Sequence, residues 1–171
     1  MIDTLDICFL ITFPLAFIIY DAEEIVVQHR WLLSHKDRIL TRLPWSHQLI
    51  QHLEKLSTQS FAIAAIEELI IILGSCIYVV FQGPYAIELC IALFMAFGVH
   101  LIIHIAQAIV VRSYVPGLIS VILLLPYTAW MVWNLSASIS LYHLSILTII
   151  GIVLMVGNLL LSHQIGLKLS N

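Results

Sequence analysis

The run Ile7-Cys-Phe-Leu-Ile-Thr-Phe-Pro-Leu-Ala-Phe-Ile-Ile19 is apolar except for Thr12, and it leads directly into Tyr20-Asp21-Ala22-Glu23-Glu24. An ionised carboxylate in hydrocarbon costs about 3 kcal/mol or more, so acidic residues at this depth face a partner, a cavity or a bound ion. The stretch therefore predicts a membrane helix that ends its crossing in a polar site.

The composition supports a membrane protein. Of the 171 residues, 61% are hydrophobic and only 10% are charged, whereas soluble domains carry about 25% charged residues. The length favours one domain that covers residues 1–171. The chain has no basic tract with interleaved aromatic residues, which argues against a nucleic-acid partner.

Five segments are long and apolar enough to cross a bilayer, which requires about 20 residues. They predict an all-α bundle of five transmembrane helices at about 5–28, 60–81, 85–111, 117–135 and 143–163. Pro14 and Pro126 fall inside the first and fourth segments, where membrane helices tolerate proline.

The basic residues predict the orientation of this bundle. All seven lie in the first loop, the third loop or the C-terminal tail: Arg30, Lys36, Arg38, Arg42, Lys55, Arg112 and Lys168. By the positive-inside rule these regions are cytoplasmic, so the N-terminus is outside and the C-terminus is inside. The N-terminal segment 1–6 is acidic and lacks the features of a cleavable signal peptide, so the first helix is expected to stay in the membrane.

Residues 29–59, between the first two predicted helices, alternate apolar and polar side chains at near-helical spacing and include Trp31 and Trp45. Such a basic amphipathic segment is expected to lie in the cytoplasmic interface, with a break at Pro44. It serves either as a surface anchor or as a lid over the polar site.

Two further polar patches interrupt later helices, namely Glu67-Glu68, and His100 with His104. The 1.5 Å rise per residue places both glutamate pairs and His104 about 9–14 Å from the predicted cytoplasmic boundary, and His100 at about 18 Å. His100 and His104 share a helix face, and Ala92, Ala96 and Ala108 continue that face. Adjacent residues diverge by about 100°, so one glutamate of each pair should point to the centre of the bundle.

Five carboxylates share this layer, and the predicted spans contain no lysine or arginine to neutralise them. Protonation, a bound metal, or rotation of some carboxylates towards the interface would each resolve the charge. A mixed set of imidazole and carboxylate ligands suits one or two ions of Zn, Fe or Mn. The predicted metal ligands are Glu24, Glu68, His100 and His104, with Glu23 or Glu67 as the general base. The residues expected beside the ligands are Tyr20, Asp21, Gln107 and Asn158.

The Glu-Glu pairs at 23–24 and 67–68, together with His100-x-x-x-His104 and Arg112-Ser-Tyr-Val-Pro-Gly117, resemble the HXXEE family of small bacterial integral membrane proteins. The resemblance covers roughly residues 10–130. Tyr20 occupies the position of the leading histidine that gives this family its name, and a tyrosine oxygen can also bind a metal or donate a hydrogen bond. The resemblance implies a shared site and a bacterial cytoplasmic membrane, but no particular reaction.

Three functions remain open on this evidence. The first is an intramembrane metal-dependent enzyme that hydrolyses, or less favourably oxidises, a lipid-like or amphiphilic small molecule from the cytoplasmic leaflet. The second is a metal-ion or proton-linked transporter, because intramembrane carboxylates and histidines also mark such pathways. The third is a structural subunit whose carboxylates only form hydrogen bonds. Membrane lipids are expected partners, and the sequence leaves the oligomeric state open.

The three cysteines, Cys8, Cys76 and Cys90, lack the spacing of a metal site and are expected to be buried small hydrophobic residues. Cys76 and Cys90 lie symmetrically about Gln82-Gly-Pro84, so a disulfide across this hairpin is the alternative to two free thiols.

Overall fold

The computed structural model describes residues 4–169, and describes side chains from residue 7 onward, so the acidic segment 1–6 lies largely outside the described residues. Within this range the regular secondary structure is entirely helical. The elements are α1 (Thr4–Arg42), a 3-10 turn (Pro44–Ser46), α2 (His47–Leu53), α3 (Thr58–Val80), α4 (Ala86–Val111), α5 (Leu118–Ser138) and α6 (Leu141–Leu169).

Four of these helices, α3 to α6, are long and apolar enough to span a membrane, counted over the described residues. Their outward surfaces carry exposed isoleucine, leucine and valine side chains, as expected for lipid contact. The described part of α1 does not meet the same criterion, because Asp21, Glu23 and Glu24 follow so closely on its apolar run. The all-helical membrane architecture is therefore confirmed, whereas the predicted fifth span is not.

The first helix differs most from the sequence-based prediction. α1 continues without a break from Thr4 to Arg42, so nearly half of the predicted interfacial segment 29–59 is an extension of this helix. No glycine or proline occurs between Asp21 and Leu43 to end the helix earlier. The predicted end of the first span at about residue 28 is therefore wrong, and α1 ends instead at the break predicted at Pro44. The residue before a proline is disfavoured in the helical region, and Leu43 before Pro44 has φ −131° and ψ 71°.

The connections between later helices are short and have recognisable caps. The Ser57 hydroxyl accepts a hydrogen bond from the backbone N–H of Ser60 at 3.1 Å and begins α3. Arg112 ends α4 in the left-handed conformation, with φ 51°, and Gly117 adopts φ 80° immediately before α5. This turn returns the chain beside α1, and glycine suits it because a positive φ strains other residues.

Close helix packing holds α6 against α3 and α4. A β-carbon at Gly151 would lie 1.9 Å from the carbonyl oxygen of Ala92, and one at Gly166 would lie 2.2 Å from that of Ser60. Only glycine allows backbones to approach this closely, as is common between membrane helices. Ala92 and Ala96 are buried, which confirms that their face of α4 points into the bundle.

The cysteines agree in part with expectation. Cys76 and Cys90 are buried free thiols with their sulfur atoms 3.8 Å apart, so they do not form the alternative disulfide. Cys8 is exposed, contrary to the prediction that it is buried, because its side chain lies on the outer surface of α1.

Candidate functional site

Three of the four predicted ligands converge between α1 and α4. The side chains of Glu24, His100 and His104 each offer one ligand atom, and these atoms all lie within 4.8 Å of one another. His100 Nε2 lies 3.2 Å from His104 Nε2, and Glu24 Oε1 lies 3.9 Å from His104 Nε2. The two histidines meet because residues four apart share a helix face. We call this set the Glu24–His100–His104 cluster.

Tyr20 lies at the centre of this cluster rather than beside it. Its hydroxyl donates to Glu24 Oε2 at 2.7 Å and lies 2.8 Å from His100 Nε2 and 2.6 Å from His104 Nε2. Only 1% of Tyr20 is exposed. The ring packs against Gly117, where a β-carbon would lie 2.7 Å from Cε2 of the tyrosine. The turn before α5 therefore fixes the position of the phenol.

The backbone orients one of the two imidazoles. His104 Nδ1 lies 3.0 Å from the carbonyl oxygen of Pro116, which can only accept, so the ring N–H is on Nδ1. The Nε2 atom of His104 then carries a free lone pair, and it faces Tyr20 and Glu24. Metal-binding histidines commonly have this arrangement, in which one nitrogen donates to a fixed acceptor and the other is left for the ion.

The types and spacing of the donor atoms test whether a cation fits here. The Tyr20 hydroxyl has one proton, and both the Glu24 carboxylate and His104 Nε2 present lone pairs to it. A tetrahedral ion with bonds of 2.0–2.1 Å holds its ligand atoms about 3.3 Å apart. The two Nε2 atoms, 3.2 Å apart, have this spacing, whereas the phenol oxygen lies at hydrogen-bond distance from them, 2.6 and 2.8 Å. The two imidazoles and the Glu24 carboxylate are therefore a donor set that suits a divalent cation.

Glu23 points away from the cluster and towards the start of α5. Its Oε1 accepts from the Tyr114 hydroxyl at 2.5 Å and the Ile119 N–H at 3.3 Å, and its Oε2 accepts from the Ser120 N–H and hydroxyl, each at 2.7 Å. The first N–H groups of a helix lack intrahelical partners, and a carboxylate there also opposes the positive end of the helix dipole. Burial and the hydrogen bond to Glu23 raise the pKa of the Tyr114 phenol above its usual value.

The two glutamates of α3 separate in the same way. Glu68 faces the central cavity and accepts from the Ser162 hydroxyl at 2.9 Å, whereas Glu67 accepts from the Asn158 amide at 3.1 Å and does not line the cavity. Gln107 lines the cavity but is exposed. The structure thus brings together Glu24, His100, His104 and Tyr20, with Asp21 and Glu68 lining the same cavity. It leaves Glu23 and Glu67 in contacts of their own.

A single cavity of about 1050 Å³ surrounds the cluster and extends well beyond it. Apolar side chains from α1, α2, α3, α4 and α6 form most of its wall, and no lysine or arginine lines it. Among the described residues, two buried polar atoms have no hydrogen-bond partner, Asp21 Oδ2 and Trp31 Nε1, and both residues line this cavity.

Comparison with known families shows which family the chain belongs to. The model of a protein family of unknown function, which is described by its HXXEE motif, matches residues 11–131. The chain belongs to the HXXEE family. Its motif positions are Tyr20, Glu23 and Glu24, and two of these three contribute to the cluster. Neither a curated protein nor a solved structure matches the chain.

Several contacts of this HXXEE protein could not be found from the sequence alone. Pro116 and Gly117 shape the site through backbone atoms, which carry no compositional signal, and Ser120 lies 97 residues from its partner Glu23. The Arg112–Gly117 stretch, which carries part of the family resemblance, was the available indication that this turn matters.

Proposed function

We propose that this HXXEE protein is an intramembrane metal-dependent enzyme that acts on a lipid-like or amphiphilic substrate from the cytoplasmic leaflet of the bacterial plasma membrane. The observation that carries the proposal is the convergence of Glu24, His100 and His104, with their ligand atoms within 4.8 Å, inside a large apolar cavity. Pockets that bind small molecules combine apolar walls with a few convergent polar groups in this manner.

The membrane topology that supports this proposal has five spans. The apolar part of α1 would be the fifth crossing, with its acidic end buried against α4 rather than exposed to lipid. The basic residues of the α1 extension, the turn after α4 and the end of α6 would then share the cytoplasmic side. The cluster would lie in the inner half of the bilayer.

In such an enzyme the cluster would hold one or two ions of Zn, Fe or Mn. A bound divalent cation would act there as a Lewis acid towards a carbonyl group or a water molecule. Glu24, His100 and His104 would be its ligands, and Pro116 would keep His104 in the required tautomer. The donor set serves hydrolysis and oxidation alike, and we favour hydrolysis because water is its only co-reactant.

The protein must also supply a group that accepts a proton. Glu23 and Glu67 remain the bases predicted from the sequence, but their hydrogen bonds to α5 and to Asn158 occupy them. Asp21 suits the role better, because its Oδ2 has no partner and the residue lines the cavity next to the cluster. Glu68, which Ser162 holds in the same cavity, would be an additional ligand or would orient one.

A transporter would need a polar path across the other half of the bundle. Three of the hydroxyls there donate to carbonyls of their own helix, Thr12 to Cys8, Ser75 to Ile72 and Thr128 to Leu124, and Thr12 is also paired with the Tyr127 hydroxyl at 2.8 Å. Side chains that satisfy themselves in this way offer little to a passing ion, which favours the enzyme over the transporter.

Metal analysis of the purified protein tests the proposal. We expect about one ion or more per chain, lost in the Glu24→Ala and His104→Ala variants and reduced in Glu68→Ala. Glu88→Ala, which changes a glutamate in the first turn of α4 outside the cluster, serves as the matched control and should keep the metal. Full metal content in the His104 variant would contradict the proposed ligand set, and metal flux into proteoliposomes would favour transport.

A further inference from the structure

The cavity extends in two directions from the Glu24–His100–His104 cluster. On α3 its wall runs from Phe61 to Tyr78, and on α4 it reaches Leu89. With a rise of 1.5 Å per residue, Tyr78 lies about 15 Å beyond Glu68, and Leu89 lies about 16 Å beyond His100. The part beyond the cluster is therefore a long apolar channel, and we call it the tail channel.

The length of the tail channel fits a hydrocarbon chain. A fully extended chain advances about 3.5 Å for every three consecutive bonds. A hydrocarbon tail of roughly 12 carbons therefore spans the ~15 Å of the channel. Gly74 lies on this wall, and a β-carbon there would meet nothing within 4 Å, so the space beside it is open.

The charge of the cavity restricts the polar part of its occupant. Of the residues that the structure describes, three acidic ones line the cavity, Asp21, Glu24 and Glu68, and no lysine or arginine does. In the metal-free protein, a phosphate or carboxylate head group would meet these acidic groups in a poorly solvated space, which disfavours binding. A neutral or cationic head group avoids this repulsion.

One unpartnered atom beside the cluster specifies a hydrogen bond that the occupant can make. Asp21 is 8% exposed, and its Oδ2 accepts no hydrogen bond, so it suits an O–H or N–H donor. Buried polar atoms are rarely left unpaired, which indicates that a ligand completes Asp21. The other unpartnered atom, Trp31 Nε1, lies about 15 Å further along α1, towards α2, and is out of reach of the same head group.

We infer that the cavity binds a single-chain, uncharged or cationic amphiphile whose O–H or N–H group contacts Asp21 and whose hydrocarbon tail of about 12 carbons occupies the tail channel. A fatty acyl amide or a long-chain amino alcohol has this chemistry, whereas a diacyl phospholipid or a free fatty acid does not. The inference rests on the proposed function in one respect, that the cluster is where the substrate reacts. Binding itself requires only the cavity.

Equilibrium binding of tritiated N-dodecanoyl ethanolamide tests this inference. The full chain is placed in phosphatidylcholine nanodiscs with a chelator, so that the measurement does not depend on bound metal. Unlabelled dodecanoic acid, dodecyl phosphate and didodecanoyl glycerol compete in parallel. We expect saturable binding of the amide, and at least tenfold weaker competition by the two anions and by the two-chain glyceride.

Two variants locate the ligand within the cavity. Asp21→Leu removes an acceptor that has no partner in the folded protein, and it should weaken binding about tenfold without loss of folding. Gly74→Leu should abolish binding of the 12-carbon amide but leave binding of a six-carbon analogue, because the new side chain closes the channel about 9 Å beyond Glu68. Ala106→Leu adds the same bulk on the exposed outer face of α4 and should change neither.

The outcomes separate this inference from the proposed function. Equal competition by dodecanoic acid or by the glyceride would overturn the inference, as would unchanged binding in the Gly74→Leu variant. A protein that holds metal but does not bind the amide would refute the inference alone. A protein that binds the amide but never holds metal would refute the proposed enzyme alone.

Discussion

Glu23 and Glu24 are neighbours in the chain, yet the structure gives them opposite surroundings. Glu23 accepts four contacts from donors at the start of α5 and the preceding turn, whereas Glu24 shares the single proton of Tyr20 with His104. A carboxylate surrounded by donors is stable as an anion and needs nothing more. A carboxylate that meets other acceptors needs a proton or a cation. The comparison indicates that Glu23 holds the start of α5 in place, and it supports the ligand role proposed for Glu24.

The two glutamates of α3 also separate, although each has a donor: Asn158 donates to Glu67 outside the cavity, and Ser162 donates to Glu68 inside it. In both pairs the first glutamate lies outside the cavity and the second lines it. Helix geometry explains the separation, because successive side chains point about 100° apart.

The largest effect is expected when each member of the first pair is changed in turn. Glu24→Gln should lower metal affinity by at least about 100-fold, because it removes an anionic ligand from a site in which even outer contacts contribute 10–100-fold. Glu23→Gln should keep the metal but lower the free energy of unfolding by about 2 kcal/mol, because charged hydrogen bonds to α5 are lost. Metal titration and unfolding in mixed detergent would measure the two effects.

These two glutamine variants differ only in position, so each serves as the control for the other. The comparison fails if Glu23→Gln loses the metal as completely as Glu24→Gln, or if only Glu24→Gln destabilises the fold.

A second prediction concerns Gly117, which packs against the Tyr20 ring of the cluster and directly precedes α5, whose first residues donate to Glu23. Gly117→Ala should lower the free energy of unfolding by about 1–3 kcal/mol, because the residue has φ 80° and its β-carbon would lie 2.7 Å from the Tyr20 ring. Metal affinity should fall as well, since the tyrosine must move. Gly157→Ala, where a β-carbon meets nothing within 4 Å, is the matched control and should leave stability unchanged or slightly raised.

Much of this architecture could be predicted from the sequence because it depends on regular periodicity. The pairing of His100 with His104, and the separation of Glu23 from Glu24, both follow from 3.6 residues per turn. The position of Tyr20 could be predicted only in part. The sequence predicts that Tyr20 lies on the same face of α1 as Glu24. Its position at the centre of the cluster depends on the backbone of Pro116 and Gly117, which no side-chain pattern describes.

The length of α1 shows another limit of sequence patterns. Residues 29–42 have the amphipathic spacing of a helix that lies on a membrane surface, and this spacing is equally typical of a helix that continues from the one before. Only the absence of a breaker before Leu43 distinguished the two. The contacts of Glu23 with Tyr114 and Ser120 depend on how α1 packs beside α5, over 91 and 97 residues of sequence, which local rules do not reach.

The third prediction tests Tyr20, where the HXXEE family has a histidine. Tyr20→His restores the motif and should keep metal affinity, because an imidazole nitrogen can replace the phenol oxygen beside Glu24 and the two histidines. Tyr20→Phe removes only the oxygen and should weaken metal affinity about tenfold, the effect typical of an atom that supports a ligand. Equal affinities in the wild type and both variants would show that the phenol oxygen does not contribute to the site.

The smallest effect is expected at Tyr114, on the Glu23 side of the comparison. Tyr114→Phe removes one donor and should lower the free energy of unfolding by about 1 kcal/mol, with no change in metal affinity. In the wild type, burial and Glu23 raise the pKa of this phenol in the folded state. Its stabilising contribution is therefore complete below the unfolded pKa of about 10 and is lost as the pH rises through the folded value. Unfolding measured from pH 8 to 11 should thus show a decline in wild-type stability above about pH 10 that is smaller in Tyr114→Phe. A decline of equal size in both proteins would mean that Glu23 gains nothing from the phenol, and that the α5 backbone alone holds it in place.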